Sequence, residues 1–221
     1  MKLTKTDWDA LLSHDSNQIL NKGAKLYDKD TYAQSVEYYR LAAAMGNVHA
    51  VSDLGYCYLY GRDIPQDVDL GIAYFLLAAK KGDIDAMYKL GDIFSRDTWV
   101  EKDVERSNYY FLKAFQSVLD ESHTGYDGYL AIRYADELES YPSLCLALGA
   151  AMSDGGNMNM DLPAAYELLL HAKRGYEEML RHHQKMYQKS YENTLNLLKT
   201  EQFDYYRREY EEENDDSSKE E

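Results

Sequence analysis

The sequence predicts an all-α protein: a stack of helix-turn-helix repeats closed by a C-terminal capping helix. Three observations carry this. The stretch LGYCYLYGRDIPQD at 54–67 returns 36 residues later as LGDIFSRDTWVEKD at 90–103, with Leu54/Leu90, Gly55/Gly91 and Asp67/Asp103 in register. Apolar residues fall four apart, as in Ala50, Leu54 and Tyr58, which places them on one face of a helix. Proline, which breaks helix interiors, occurs only three times in 221 residues.

The period extends beyond that stretch. Ala50 recurs as Ala86, Ile64 as Val100, Phe75 as Phe111 (with Tyr39 one period earlier), Ala78 as Ala114 (with Ala42 earlier), and Gly46 as Gly82. A further copy is displaced by 94 residues from the second, matching Leu148-Gly149, Gly155, Met158, Asp161, Leu169 and Ala172 to Leu54-Gly55, Gly61, Ile64, Asp67, Phe75 and Ala78. The first copy has a shorter interior, 12 residues from Gly23 to Ser35 against 16 from Gly55 to Gly71. A fixed period of this size marks an array in which each unit buries its apolar face against the next.

Within a unit, the first helix ends at a glycine able to adopt the left-handed conformation (Gly61). The second begins at an aspartate that accepts from free N–H groups at the helix start: Asp67, Asp103 and Asp161. Pro163 sits in a first helical turn, where its missing N–H does little harm. Gly55 and Gly91, mid-helix, imply a close approach between paired helices, and Ile64, Val100 and Met158 in the linkers read as apolar plugs between neighbouring units.

The pattern Ala-x3-Leu-Gly-x2-Tyr-x2-Gly-x2-Ile-x2-Asp-x10-Ala-Ala-x2-Gly, from Ala50 to Gly82, resembles the Sel-1-like repeat, a relative of the tetratricopeptide repeat with a longer linker. The third unit departs from it at Asp97 and Phe115, and the fourth at Leu144. The resemblance implies a right-handed α/α superhelix, or solenoid, whose members act as scaffolds or adaptors. The expected organisation is three repeats over 14–115, an insertion with a short helix at 116–142, a fourth repeat at 143–176, a capping helix at 177–205 and an acidic disordered tail at 206–221.

Gly125, Asp127 and Gly128 signal a turn within the insertion, after which Leu130, Tyr134 and Leu138 read as one face of a helix over 129–138. Past Ala172 no breaker appears until about residue 200, and Tyr176, Met179, Leu180, His183, Met186, Tyr187, Leu195 and Leu198 form an apolar seam. That seam caps the last repeat or, as an alternative, joins two copies in a structural homodimer.

The formal net charge is −15, so the surface repels phosphate, excluding nucleic acid and anionic membrane as expected partners. Basic or apolar protein or peptide partners fit better. Cys57 and Cys145 have no close spacing and suit neither a disulfide framework nor zinc. No apolar run reads as a signal peptide or a membrane span, so a cytoplasmic protein is expected.

Catalytic motifs are not found, so no catalytic residue, cofactor or metal is expected. Glu178, His182 and His183 are the nearest approach to a metal site and lack further ligands; His171 is too distant to join them. A hydrolase built on the array would need His, Asp or Glu converging on a pocket. In tetratricopeptide-like arrays the first helices line a concave groove. Counting outward from Leu-Gly, the peptide-binding candidates are His49, Ser52, Tyr56, Leu59 and Tyr60 in unit two, and Asp85, Tyr88, Asp92, Ser95 and Arg96 in unit three. In unit four they are Leu146, Ala150 and Ser153. Tyr56, Tyr60 and Tyr88 beside Asp85 and Asp92 suit an extended or helical peptide with apolar and basic residues.

Overall fold

A computed structural model describes residues 2–27, 31–62, 64–122, 124–155, 158–182, 184 and 187–217, and among them every regular element is helical. The helices are α1 (Lys5–Leu12), α2 (Ser16–Tyr27), α3 (Tyr32–Ala44), α4 (Val48–Tyr60), α5 (Val68–Lys80), α6 (Ile84–Phe94), α7 (Val104–Ser122), α8 (Gly128–Arg133), α9 (Pro142–Asp154), α10 (Leu162–Arg181), α11 (Gln188–Leu198) and α12 (Asp204–Ser217). Short 3-10 helices lie at Asp136–Ser140 and Glu201–Phe203. None of these helices is long and apolar enough to cross a membrane. The chain divides into two compact units, Met1–Tyr110 and Phe111–Glu221, each taken by itself below.

In the first unit α2/α3 and α4/α5 are packed helix pairs, and α3 against α4 and α5 against α6 join successive pairs. The repeat is visible in the backbone bonds. The Asp67 N–H donates to Tyr58 O at 3.0 Å, and Asp103 N–H to Phe94 O at 2.9 Å, at the same place one period on. Both aspartates also cap their helices, accepting from Leu70 N and Arg106 N at 2.9 Å. Gly61 closes α4 at φ +65°, and Gly82, at φ +95°, turns the chain into Asp83, which caps α6.

The mid-helix glycines make room for a side chain rather than for bare backbone. A Cβ on Gly55 would stand 2.8 Å from the Phe75 ring, and one on Gly23 equally close to the Tyr39 ring. Gly71 returns the favour, since its Cβ would meet Leu59 N at 2.9 Å. Where serine replaces that glycine, its hydroxyl donates to the partner helix: Ser35 Oγ to Gly23 O at 2.8 Å and Ser107 Oγ to Gly91 O at 2.9 Å. Ile64 packs as a plug on the cluster of Val36, Tyr39, Leu54 and Cys57. At the start of the chain Asp7, 2% exposed, bonds Lys22 Nζ at 2.6 Å, Tyr38 OH at 3.0 Å and Thr4 N at 2.7 Å, fastening α1 to α2 and α3.

The second unit is built on α9 and α10. Asp161 N–H donates to Met152 O at 3.1 Å, the same bond again, and a Cβ on Gly149 would lie 2.9 Å from Leu169, as on Gly55 against Phe75. Three expectations need correction here. Instead of one helix over 129–138, α7 runs on to Ser122, α8 stops at Arg133, and a 3-10 turn follows. The break turns the faces: Tyr134 is half exposed, while Ile132, Ala135 and Leu138 are buried. Arg133 pairs with Glu167 at 2.6 Å, His171 Nε2 meets Ile132 O at 2.7 Å, and Arg174 pairs with Glu139, so the inserted segment is pinned onto α10.

The capping helix expected over 177–205 is divided. α10 ends at Arg181, α11 covers 188–198, and a 3-10 turn leads into α12. The two ends of the expected seam, Tyr176 and Leu198, are buried within the chain, so they do not present a dimerising stripe. The tail expected to be disordered from 206 is helical through Ser217. Tyr206 and Tyr210, one turn apart, pack on the cluster of Tyr166, Leu198 and Phe203, which offsets the charge repulsion of this acidic segment.

Candidate functional site

The face that α4 and α6 present is built from helix geometry. At 3.6 residues per turn, His49, Asp53, Tyr56 and Tyr60 form one stripe of α4. On α6 the matching stripe is Asp85, Tyr88, Lys89 and Asp92, with Arg96 just beyond. Of the expected groove residues, Ser52 is 3% exposed and Leu59 fully buried. They lie off the edge of the α4 stripe, on the side toward the core, and cannot touch a ligand in a groove. Ser153 of the fourth copy is likewise buried, its hydroxyl turned to Ala150 O at 2.8 Å. Leu146 and Ala150 are half-buried. His49, Tyr60, Asp85 and Arg96 are exposed, and Tyr56, Tyr88, Asp92 and Ser95 half-buried.

The face has two ends of different character. At one, Tyr56 and Tyr60 stack with centroids 6.4 Å apart, Tyr60 meets Trp99 edge-on at 5.5 Å, and Tyr56 meets Phe75 edge-on at 4.9 Å. Lys89, almost wholly buried, donates to Tyr60 OH and to Asp92 at 2.8 Å each and lies 5.3 Å from the Tyr60 ring centre. Arg96 also pairs with Asp92. The charge of Asp92, expected to be open to a partner, is thus already met by two cations of its own helix end.

The other end is a carboxylate cluster met by His49 in place of such a lysine and arginine. Asp83 is buried; its Oδ1 caps Ala86 N at 2.7 Å, and its Oδ2 faces His49 Nδ1 at 2.9 Å and has no other partner. Burial, then the charges of Asp83 and Asp85, push the Asp53 carboxyl up to about 7. Asp85, though exposed at its surface, is raised as well, by partial desolvation of its carboxyl and then by Asp83. Burial and then Asp85 hold the Tyr56 phenol well above its ordinary value. Ser52 Oγ, beneath, is buried with no hydrogen-bond partner. This end is a negative patch bordered by Tyr56, and a cation seated there would relieve like-charge crowding. Asp53 and Lys89 escaped the sequence reading, although Asp53 lies one turn from both His49 and Tyr56, and Lys89 one turn beyond Asp85.

Nothing in this face resembles an activated nucleophile. Cys57 is buried and its thiol is pushed up to about 12 by burial, then by Asp53. His171, buried in the second unit, is committed to Ile132 O and to Arg174. Glu178 and His182 bond each other at 2.9 Å on the surface; His183 lies outside the described residues. No three metal-ligating side chains converge among the described residues.

Comparison with known proteins bears on this geometry. The Sel1 repeat family model matches residues 18–47, 48–83 and 84–117. Residues 18–117 form a Sel1-repeat array. The α4/α6 face lies within the second and third matched repeats. Among solved structures, a Sel1 repeat protein from Oxalobacter formigenes is similar at 17% identity and a TM-score of 0.58 over 74% of this chain. The chain spans 58% of that protein's length, and the likeness is one of fold. A protective antigen of uropathogenic Escherichia coli strains with the same repeat fold aligns at 18% identity and a TM-score of 0.47, over 74% of this chain and 39% of its own. No curated protein matches. Sel1 repeats generally serve protein–protein interaction.

Proposed function

We propose that this protein is a non-enzymatic scaffold or adaptor whose Sel1 array holds a peptide segment of a protein partner on the α4/α6 face. The observation that carries this reading is the cluster of Asp53, Asp83 and Asp85, with His49 against Asp83, beside Tyr56 and Tyr88. A lysine or arginine of the partner sits on the carboxylates, and an apolar neighbour packs on the stacked Tyr56 and Tyr60. His49 flanks the carboxylates and orders Asp83. Two buried, unpaired cysteines suit the cytoplasmic setting expected from the sequence.

Selection from a random 12-residue peptide display library on the immobilised full chain tests it. Enrichment of basic residues next to apolar ones, lost on the Asp53→Asn/Asp85→Asn variant, supports the reading. Enrichment of acidic peptides, or binding unchanged by that variant, removes it.

A further inference from the structure

A recess lies in the other unit, most of its lining beyond residue 117, where the matched Sel1 repeats end. The last turns of α7, the 124–127 loop and α8 enclose it, and Met152 and the start of α10 close its far side. Its volume is about 600 Å³, within the ~300–1,000 Å³ of ligand-sized clefts. Phe115, Leu119, Tyr126 and Tyr129 supply the apolar wall. Tyr126 is 52% and Tyr129 45% exposed, and Tyr134, 4.8 Å from Tyr126 between ring centres, extends the aromatic surface. Three rings from one short inserted segment are left facing out in a fold that buries most of its large apolar side chains. Tyrosine-rich surfaces of this kind carry much of the binding energy at interfaces.

The charge around this wall has one sign. Asp120, Asp127 and Asp161 line the recess, and no lysine, arginine or histidine is among the described residues that line it. Asp120 accepts from the neutral Gln116 amide at 2.7 Å, and Asp161 from Ala164 N at 3.1 Å, so neither charge is cancelled. Asp127 precedes α8 without making a capping bond. Arg133 lies 5.9 Å from the Tyr129 ring centre and is engaged by Glu167. A second copy of this chain, itself at net charge −15, is a poor occupant of such a rim.

We infer that this recess is a second peptide-docking site, taking an arginine or lysine side chain of a protein partner between Tyr126 and Tyr129, with an adjacent apolar side chain on Phe115 and Leu119. The positive head group meets the three aspartates and the ring faces, while the apolar neighbour covers the floor. The inference is independent of the α4/α6 reading, since it rests on different residues in a different unit.

The test uses the full-length chain, ¹⁵N-labelled, and two synthetic heptapeptides, Gly-Ser-Leu-Arg-Leu-Ser-Gly and the same peptide with Glu for Arg. The expected result is chemical-shift change over 115–132 and the start of α10 with the arginine peptide, separate from any change on α4 and α6, and none over 115–132 with the glutamate peptide. Asp120→Asn/Asp127→Asn, exposed changes that leave the apolar core intact, should weaken the arginine peptide at least tenfold, and Tyr129→Ala should do the same. Asp53→Asn/Asp85→Asn should leave binding in this recess unchanged, which separates it from the α4/α6 face. Equal perturbation by the glutamate peptide, no perturbation of the recess at 1 mM arginine peptide, or undiminished binding by the Asp120→Asn/Asp127→Asn variant would each overturn the inference.

Discussion

Replacing Asp53 by asparagine should stabilise the protein at neutral and alkaline pH. Burial and the neighbouring Asp83 and Asp85 raise this carboxyl from 3.8 to about 7. The folded chain therefore keeps a proton at Asp53 between about pH 4 and 7 that the unfolded chain releases. Because the folded-state value is the higher one, the folded state is favoured at the acid end of this window. That advantage is lost progressively as pH rises through it. A three-unit shift corresponds to roughly 4 kcal/mol at 1.36 kcal/mol per unit, and partial solvent contact on the α4 stripe reduces it to about 1–3 kcal/mol. Asparagine keeps the shape and drops the charge. Its gain over wild type should be near zero at pH 4 and reach about 1–3 kcal/mol by pH 8. The lowered His171, buried with Arg174 beside it, works in the opposite direction in part of this range, but it is present in both proteins and cancels in the difference. Urea denaturation of the two proteins from pH 4 to 8.5 measures that difference, and a ¹³C titration of the Asp53 carboxyl reads the group directly. A variant no more stable than wild type at pH 8, together with a carboxyl midpoint near 4, would refute the crowding argument. An arginine-bearing peptide on the α4/α6 face should move the midpoint downward.

Other perturbations have equally definite outcomes. Alanine at Gly175 drives a methyl into the backbone carbonyl of Glu139 and toward Pro142 Cβ at 3.0 Å, whereas at Gly71 it meets Leu59 N at 2.9 Å and at Gly55 only the Phe75 ring. Thermal melts should rank the losses Gly175→Ala, Gly71→Ala, Gly55→Ala, the largest above about 3 kcal/mol and the smallest near 1, since helix propensity returns up to ~1 kcal/mol at each. Asp7→Asn removes the charge that Lys22 pairs with and one of the two oxygens that accept from Lys22, Tyr38 and Thr4, and should cost about 2–4 kcal/mol at pH 7. Asp7 is held well below its ordinary value by Lys22 and the Thr4 backbone despite burial, so in wild type this contribution is lost as pH falls through and below about 4, and the variant's deficit should shrink there.

The repeat was legible because each recurring letter has a geometric duty. Leu54, Phe75 and Ala78 fill the core, Gly61 turns the chain, and Asp67 caps α5 while its N–H reaches back to Tyr58. Such duties repeat at one period and can be read by alignment of the chain with itself. Gly175 could not be read this way, because what crowds it is Glu139, brought there by the inserted segment. The break at Tyr134 and the helix over 204–217 escaped for the same reason, since buried partners on α10 decide both. On the candidate face, the stripe of His49, Tyr56 and Tyr60 was recognised, but Ser52 and Leu59 were placed one step too far around the helix. The neutralisation of Asp92 by Lys89 and Arg96 depends on rotamers that spacing alone does not specify.

The central claim, that the α4/α6 face receives a basic peptide, is met most directly by backbone NMR of the ¹⁵N-labelled chain titrated with a display-selected peptide. The account predicts shift changes at Asp53, Tyr56, Asp85 and Tyr88, abolished when the peptide's basic residue is replaced by glutamine. Perturbation confined to the outward faces of α5 and α7, with that stripe unmoved, would contradict it.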